Sequence, residues 1–469
     1  MASIATLRHA VWAAAGLVLA GFGPALHGAA AAATVDVAAG ADLARAVAAA
    51  QPGDTLRLAA GTYAGAIVID KALTLLGPQD RSAVIAGTRQ GRTLWVKAAD
   101  VKLRNLTVTR SGLDLPAMDA GIFLDRTAHR AVVEHNDILD NLFGVYVWGP
   151  QDALVRGNRI VGNKDLRVAE RGNGVSLWNT PGSAVLDNDI SAGRDGVFVN
   201  TSKQNRFVGN RFHDLRYGVH YMYTNDSEIS ANVSTGNDIG FAIMYSHRLI
   251  VTGNLATNNV EQGLMMNYAN NSDISGNTVD GAEKCVFIYN ANKNRFADNQ
   301  FSNCGIGIHF TAGSEGNRIS GNAFINNRNQ VKYVGTRMME WSDGGRGNYW
   351  SDNTAFDLDG DGIADTAYRP NDVVDQLLWR APAARILLNS PAISVVRWAQ
   401  SQFPAILPGG VIDSAPLMRP AVQRGTNGST NGSTNGGTHG GANGSTISGT
   451  KAAANNGEDN GAKRAEDIQ

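Results

Sequence analysis

The sequence predicts an all-β fold: a right-handed parallel β-helix, or solenoid, with an N-terminal capping helix and a C-terminal helical extension. Three observations carry the expectation. A glycine followed by alternating apolar residues recurs at Gly121 (GIFLD), Gly144 (GVYVW), Gly174 (GVSLW), Gly196 (GVFVN), Gly218 (GVHYM), Gly240 (GFAIM), Gly263 (GLMMN) and Gly307 (GIHFT), with Cys285 (CVFIY) and Gln330 (QVKYV) in the same phase. An asparagine in a turn-like context recurs in step, at Asn105, Asn136, Asn158, Asn188, Asn210, Asn232, Asn254, Asn277, Asn299 and Asn322. Most spacings in both series are 22 or 23 residues, and self-similarity at a fixed period of this order marks a repeat architecture.

The repeats hold short period-2 apolar runs broken by Gly, Asn and Asp, which read as strands and turns rather than helices. One rung cannot bury its own apolar face; stacked rungs can. Stacking sets each asparagine about 4.8 Å from the next, close enough for an amide ladder, so the asparagines are read as structural. Parallel coils joined by crossovers favour a right-handed path.

Taken in chain order, residues 1–33 read as a signal peptide. Arg8 precedes a short apolar run at 10–22, and an alanine-rich stretch near Ala33 offers small residues for cleavage. The run is short for a membrane span, and the expected address is the periplasm. The coil proper is expected over 34–340. Its first part, ADLARAVAAAQPGDTLRLAAGTYAG, gives a short helix, a Pro-Gly-Asp turn and a first strand; a helix there would cover the open end of the solenoid. Two rungs carry insertions. The interval from asparagine to the next glycine, normally 8 residues, is 16 from Asn105 to Gly121 and again from Asn158 to Gly174, so both loops leave from one corner. Residues 341–420 form a different segment with an acidic loop and two amphipathic helices, and the Asn/Gly/Ser/Thr-rich 421–469 reads as a disordered tail.

Composition narrows the function. A net charge of −1 gives no basic excess for nucleic acid, so no nucleic-acid partner is expected. Cys285 and Cys304 are 19 residues apart, out of step with the repeat, which leaves their pairing open.

The rung phase predicts which side chains face out. With glycine as position zero, positions one and three face the core, and positions two and four face out. Position two reads Phe123, Tyr146, Ser176, Phe198, His220, Ala242, Met265, Phe287, His309 and Lys332; position four includes Asp125, Trp148, Trp178, Asn200, Met222, Met244, Asn267 and Tyr289, followed by Tyr223, Tyr245 and Tyr268 one place on. So apolar an outer face suggests a partner or ligand surface, unless loops or the C-terminal segment cover it. His220, Met222, Met244, Met265 and His247 fall on adjacent rungs, and thioether and imidazole donors suit Cu(I). The same methionines would also serve as adaptable packing for a protein partner. In DLDGDGIAD, Asp357, Asp359, Asp361 and Asp365 alternate with glycine turns in the manner of a structural calcium loop, although the twelfth position is Tyr368, not glutamate. Residues 373–405, with Trp379 and Trp398 beside Arg380 and Arg397, read as helices for a membrane surface or a membrane protein, or as packing for the end of the coil. The rival is a polysaccharide epimerase or lyase acting on acidic glycans. Such a site needs a general base with cationic neutralisers on the outer face, and positions two and four offer only Asp125 and Lys332, far apart.

The rungs together with GNYWSDN (347–353), DLDGDGIADTAYRPNDVVDQL (357–377), SPAISVVRWAQSQFP (390–404) and GVIDSAPLM (410–418) resemble the NosD family over roughly residues 34–420. The resemblance implies a non-enzymatic periplasmic protein. It would work with an ABC transporter's permease and ATPase and with a copper-chaperone lipoprotein, assisting copper-site assembly in nitrous oxide reductase. The outer stripe would then dock the chaperone or the reductase, and residues 373–405 would attach the protein to the permease. No fixed family motif assigns copper ligands.

Overall fold

A computed structural model describes residues 32–420 apart from 312, 336, 371, 388, 389 and 404–408. The expected signal peptide, but for its last two residues, and the expected tail lie outside the described residues. Three parallel sheets of 13, 12 and 13 strands wind as one coil. The first sheet runs from Thr34–Val37 to Arg318–Ser320, the second from Ile67–Ile69 to Asn329–Val334, and the third from Gly61–Ala64 to Tyr349–Trp350. Each strand pairs in register with its counterpart one turn on, as in Val197↔Val219 and Val219↔Phe241.

The core follows from that phase. Val145, Val175, Val197 and Val219 at position one, and Val147, Leu177, Val199 and Tyr221 at position three, are all fully buried. The glycine column has a steric cause. A β-carbon at Gly218 would lie 2.6 Å from the carbonyl oxygen of Gly240, and one at Gly240 would lie 2.5 Å from that of Gly263. Both are closer than real β-carbons come, so the corner admits no side chain there. Cys285 fills this column on its own rung and is disulfide-bonded to Cys304, with the α-carbons 5.7 Å apart. The spacing of 19 arises because Cys304 sits at the corner three residues before Gly307, the residue of the repeat that stacks on Cys285.

The asparagines form a continuous buried ladder. From Asn136 to Asn322, each side-chain amide donates to the next asparagine's Oδ1, for example Asn210 to Asn232 and Asn232 to Asn254 at 3.0 Å, and also to a backbone carbonyl. Asn105 is not a rung of this ladder. It takes a left-handed backbone (φ 55°) at the turn, and the Leu106 N–H beside it donates to Asn136 instead.

The N-terminal end is closed by helix α1 (Leu43–Ala49), whose N-cap Asp42 accepts from the Arg45 N–H and whose Leu43 and Val47 enter the core. At the other end the coil continues beyond the expected boundary at 340. The strand Tyr349–Trp350 extends the third sheet, and residues 410–418 return to close it, with Met338–Glu340 paired to Gly410–Ile412. Between them lie helices α2 (Val373–Arg380) and α3 (Pro391–Gln402), joined by a 3-10 turn at Pro382–Leu387. Ser390 caps α3, and Pro391 is its first residue, where a missing N–H costs nothing. Among the described residues no helix is long and apolar enough to cross a membrane.

Candidate functional site

The outer face of the second sheet is where the chemistry gathers, and it divides along the coil axis. Near the N-terminus it is covered. The two insertions leave the same corner, between the third and second sheets, and lay Leu115, Met118 and Leu166 against a cluster of Ala120, Phe123, Leu142 and Phe143, on which Tyr146 and Trp148 also pack. Phe123 is fully buried by this small second core. Arg92 lies over the Phe123 ring at 3.4 Å, and Arg126 over that of Trp148 at 4.2 Å. This part of the stripe is therefore covered by the chain's own loops.

The middle of the face is different. His220 and Met222 lie on the strand Tyr217–Asn225, Met244 ends Ile239–Met244, and Met265 lies on Gln262–Asn267. Met222 and Met244 are direct neighbours in register. His220 pairs with Ala242, and Ala242 with Met265, so His220 and Met265 stand about 10 Å apart along the axis. Ala242 is fully buried and forms a low floor that His220, Met222, Met244 and Met265 surround. His247 does not join them. Two residues past Tyr245 the chain has turned the corner, and His247 lines a polar groove with Asn270, Asn271, Asn292, Lys293 and Glu315.

His220 is held by partners that the rung phase did not single out. Its Nδ1 lies 2.9 Å from Oδ2 of Asp195. A carboxylate oxygen only accepts, so Nδ1 carries a proton, which leaves Nε2 as the nitrogen that can ligate in the neutral ring. Asp195 is only 1% exposed and also receives Arg216 through two hydrogen bonds of 2.8 and 2.7 Å. Burial pushes the Asp195 carboxyl up, but the hydrogen bonds from His220 and Arg216 outweigh this and hold it below the usual range. The His220 ring is wedged edge-on between Phe198 and Tyr217, with centroids at 5.0 and 5.1 Å, and Arg216 stacks on Tyr217 at 4.2 Å. Asp195 and Arg216 precede the glycine by one and two residues, so counting outward positions only after the glycine missed them. DG at 195–196 and RYG at 216–218 were the available signal.

This arrangement suits a soft cation. An imidazole oriented through Nδ1 by a carboxylate is the usual support for a metal-ligating Nε2, and the neighbouring donors are thioethers. Beside the site, Tyr223, Tyr245 and Tyr268 stack at 5.1 Å intervals. All three have left-handed backbones with φ between 48° and 52°, which costs bulky residues energy that ring stacking partly offsets.

In the acidic loop, Asp357, Asp359 and Asp361 bring carboxylate oxygens within 4.8 Å of one another. Asp365 is outside that group; its Oδ2 accepts from the Leu358 N–H. The loop is tied to the closing segment through Ala364 N–H to Pro416 O and Met418 N–H to Gly362 O.

Residues 155–355 match the model of a family described as "Periplasmic copper-binding protein (NosD)". A "Probable ABC transporter binding protein NosD" from Stutzerimonas stutzeri is 44% identical over 378 residues, covering 77% of this chain and 86% of the relative. Its namesake from Pseudomonas aeruginosa is 42% identical over 376 residues, covering 77% and 87%. Among solved structures, pectate lyase Pel9A aligns at 17% identity over 62% of this chain and 79% of its own, with a TM-score of 0.41. The Streptococcus pneumoniae adhesin PfbA aligns at 9% over 62% and 94%, with a TM-score of 0.49.

Proposed function

The chain belongs to the NosD family, and from that premise we propose that it is a periplasmic, non-enzymatic accessory protein of an ABC-transporter complex. It would receive Cu(I) on the outer face of its second sheet and assist copper-site assembly in nitrous oxide reductase, docking a copper-chaperone lipoprotein and the reductase there. The family descriptions, copper-binding and ABC transporter binding, support the coarse role. The observation that carries the site is His220, whose Nδ1 is committed to buried Asp195, on a face it shares with Met222, Met244 and Met265. Copper is cargo on this reading, bound by His220 and the thioethers and oriented indirectly by Asp195.

The test is a Cu(I) titration against a chromogenic chelator. Changing Met222, Met244 and Met265 together to leucine should weaken binding at least tenfold, and Asp195→Asn by roughly tenfold to a hundredfold. Unchanged affinity in the triple variant removes the assignment. The Asp195–His220–Arg216 group also supplies the base and cation that the polysaccharide reading lacked. Turnover of alginate- or pectin-like polymers, lost in Asp195→Asn, would favour that reading instead.

The apolar side chains Ile386, Val395, Trp398 and Phe403 are 90%, 61%, 63% and 61% exposed on the segment carrying α2 and α3. On our reading this surface attaches the protein to the permease at the membrane. Co-purification with the permease and ATPase should be lost on deleting 373–407; retention would refute the attachment. We also assign the acidic loop to a structural calcium ion held by Asp357, Asp359 and Asp361. Saturating calcium should raise the thermal midpoint, by the equivalent of about 2.7 kcal/mol at a hundredfold excess over Kd, and Asp359→Asn should abolish the rise. An unchanged midpoint in the unsubstituted protein would remove the calcium assignment.

A further inference from the structure

The column that holds Met265 continues through Phe287 and His309 to Lys332, each in register with the next. The His309 ring stands edge-on to Phe287, with centroids 5.2 Å apart. Its Nδ1 is buried and has no hydrogen-bond partner. Lys332 is its direct neighbour on the following rung. Lys284 lies on the preceding rung, in register with Ile306, and its ammonium is 3.3 Å from Glu283, a side chain 60% exposed. Among the described residues Lys332 has no ion-pair partner.

These groups are unbalanced. Lys284 has Glu283 as its ion-pair partner, and Lys332 has none among the described residues. Burial, then Lys332 and Lys284, push the imidazole down to about 4, against a smaller opposing influence from Glu283, so His309 is neutral at pH 7 and holds one ring proton. A buried N–H without an acceptor is rarer than a bare acceptor, which places that proton on Nε2. The face thus offers one neutral donor flanked by two cations. Compact ammonium charges on flexible stems suit an oxyanion.

We propose that Lys284, His309 and Lys332 form a binding site for a small tetrahedral oxyanion, phosphate or sulfate, separate from the copper surface, whose Met265 lies two rungs from His309. The anion would accept from the imidazole and both ammonium groups.

The test uses the full chain labelled with ¹⁵N-histidine, titrated with inorganic phosphate and, separately, sodium sulfate, at constant ionic strength. The His309 ring resonances should move and saturate with a Kd on the order of 1 mM. Lys332→Gln should weaken binding by roughly tenfold, and the further change Lys284→Gln should remove it. Both side chains lie on the outer face, and an unchanged thermal midpoint would show that the variants are folded. The Met222, Met244 and Met265 triple variant should bind the anion normally, which separates this site from the copper proposal. No movement up to about 20 mM of either anion, an equal movement with chloride, or undiminished affinity in the double lysine variant would each overturn it.

Discussion

Replacing Asp413 by alanine is expected to destabilise the protein by about 3–5 kcal/mol, since each buried donor left without a partner costs about 1–3 kcal/mol. The reason lies at the open end of the asparagine ladder. Asn348 is its last rung, accepting from Asn322 at 2.9 Å, and has no further asparagine to donate to. Asp413 takes that place. Its Oδ2 accepts from Asn348 N–H at 2.7 Å, from Asn348 Nδ2 at 3.3 Å and from Trp350 Nε1 at 2.8 Å, and its Oδ1 accepts from Ala415 N–H at 3.2 Å. The residue is fully buried. Alanine would strand three of these donors, since Asn348 Nδ2 also donates to Ile319 O and Trp341 O, and release the aromatic stack of Phe324, Trp350 and Tyr368, whose successive centroids are 4.3 and 4.8 Å apart. Asparagine is no rescue, because one of the two accepting oxygens becomes an NH₂ facing donors. Thermal and chemical denaturation would measure the loss, and a midpoint unchanged in Asp413→Ala would refute the closing role. The pH dependence has a definite sign. Burial outweighs the donors and raises the Asp413 carboxyl above its usual value. Its contribution to stability is thus fully present below the unfolded-state value near 3.8 and declines as pH rises through the folded-state value. Asp413→Ala should lack that decline.

Asn232→Ala should cost about 3 kcal/mol. Asn232 is fully buried. Its Oδ1 accepts from both the N–H and the Nδ2 of Asn210, at 2.9 and 3.0 Å, and its own Nδ2 donates to Phe207 O at 2.8 Å and to Asn254 Oδ1 at 3.0 Å. Alanine takes the acceptor from the buried Asn210 N–H, weakens the bonding of Asn210 Nδ2 and removes one donor from the Phe207 carbonyl, where water cannot reach them. Asn105→Gly is the matched comparison. Asn105 sits outside the ladder with φ 55°, a conformation glycine adopts freely, so its replacement should change stability by no more than about 0.5 kcal/mol. Equal losses at the two positions would mean that stacking of amides is not what stabilises the coil.

The end of the coil shows why some features were readable in advance and others were not. GNYWSDN and GVIDSAPLM stand about 60 residues apart in sequence, and nothing local says that they meet. In the fold, Gly347 passes so close to Asp413 that a β-carbon there would lie 1.8 Å from Oδ1, while Asn348 and Trp350 supply the donors that Asp413 accepts. The same holds at the candidate copper site. The phase of the repeat was enough to set Met222, Met244, His220 and Met265 on one face, because side chains alternate along a strand and stacked rungs share a register. It could not show that Asp195, one turn earlier, reaches across to His220, nor that His247 lies around the corner, because those outcomes depend on where the chain bends.

By itself, then, the sequence determined the solenoid, its inward and outward positions and its glycine and asparagine columns, since all of these repeat at fixed spacing and follow from short-range sterics and hydrogen bonding. Only the tertiary structure decided the Cys285–Cys304 pairing, the covering of Phe123 by the two insertions, the orientation of His220 by Asp195 and Arg216, and the closure of the ladder by Asp413. Each of these joins residues that no repeat relates, and buried polar groups choose such partners by proximity in the folded chain.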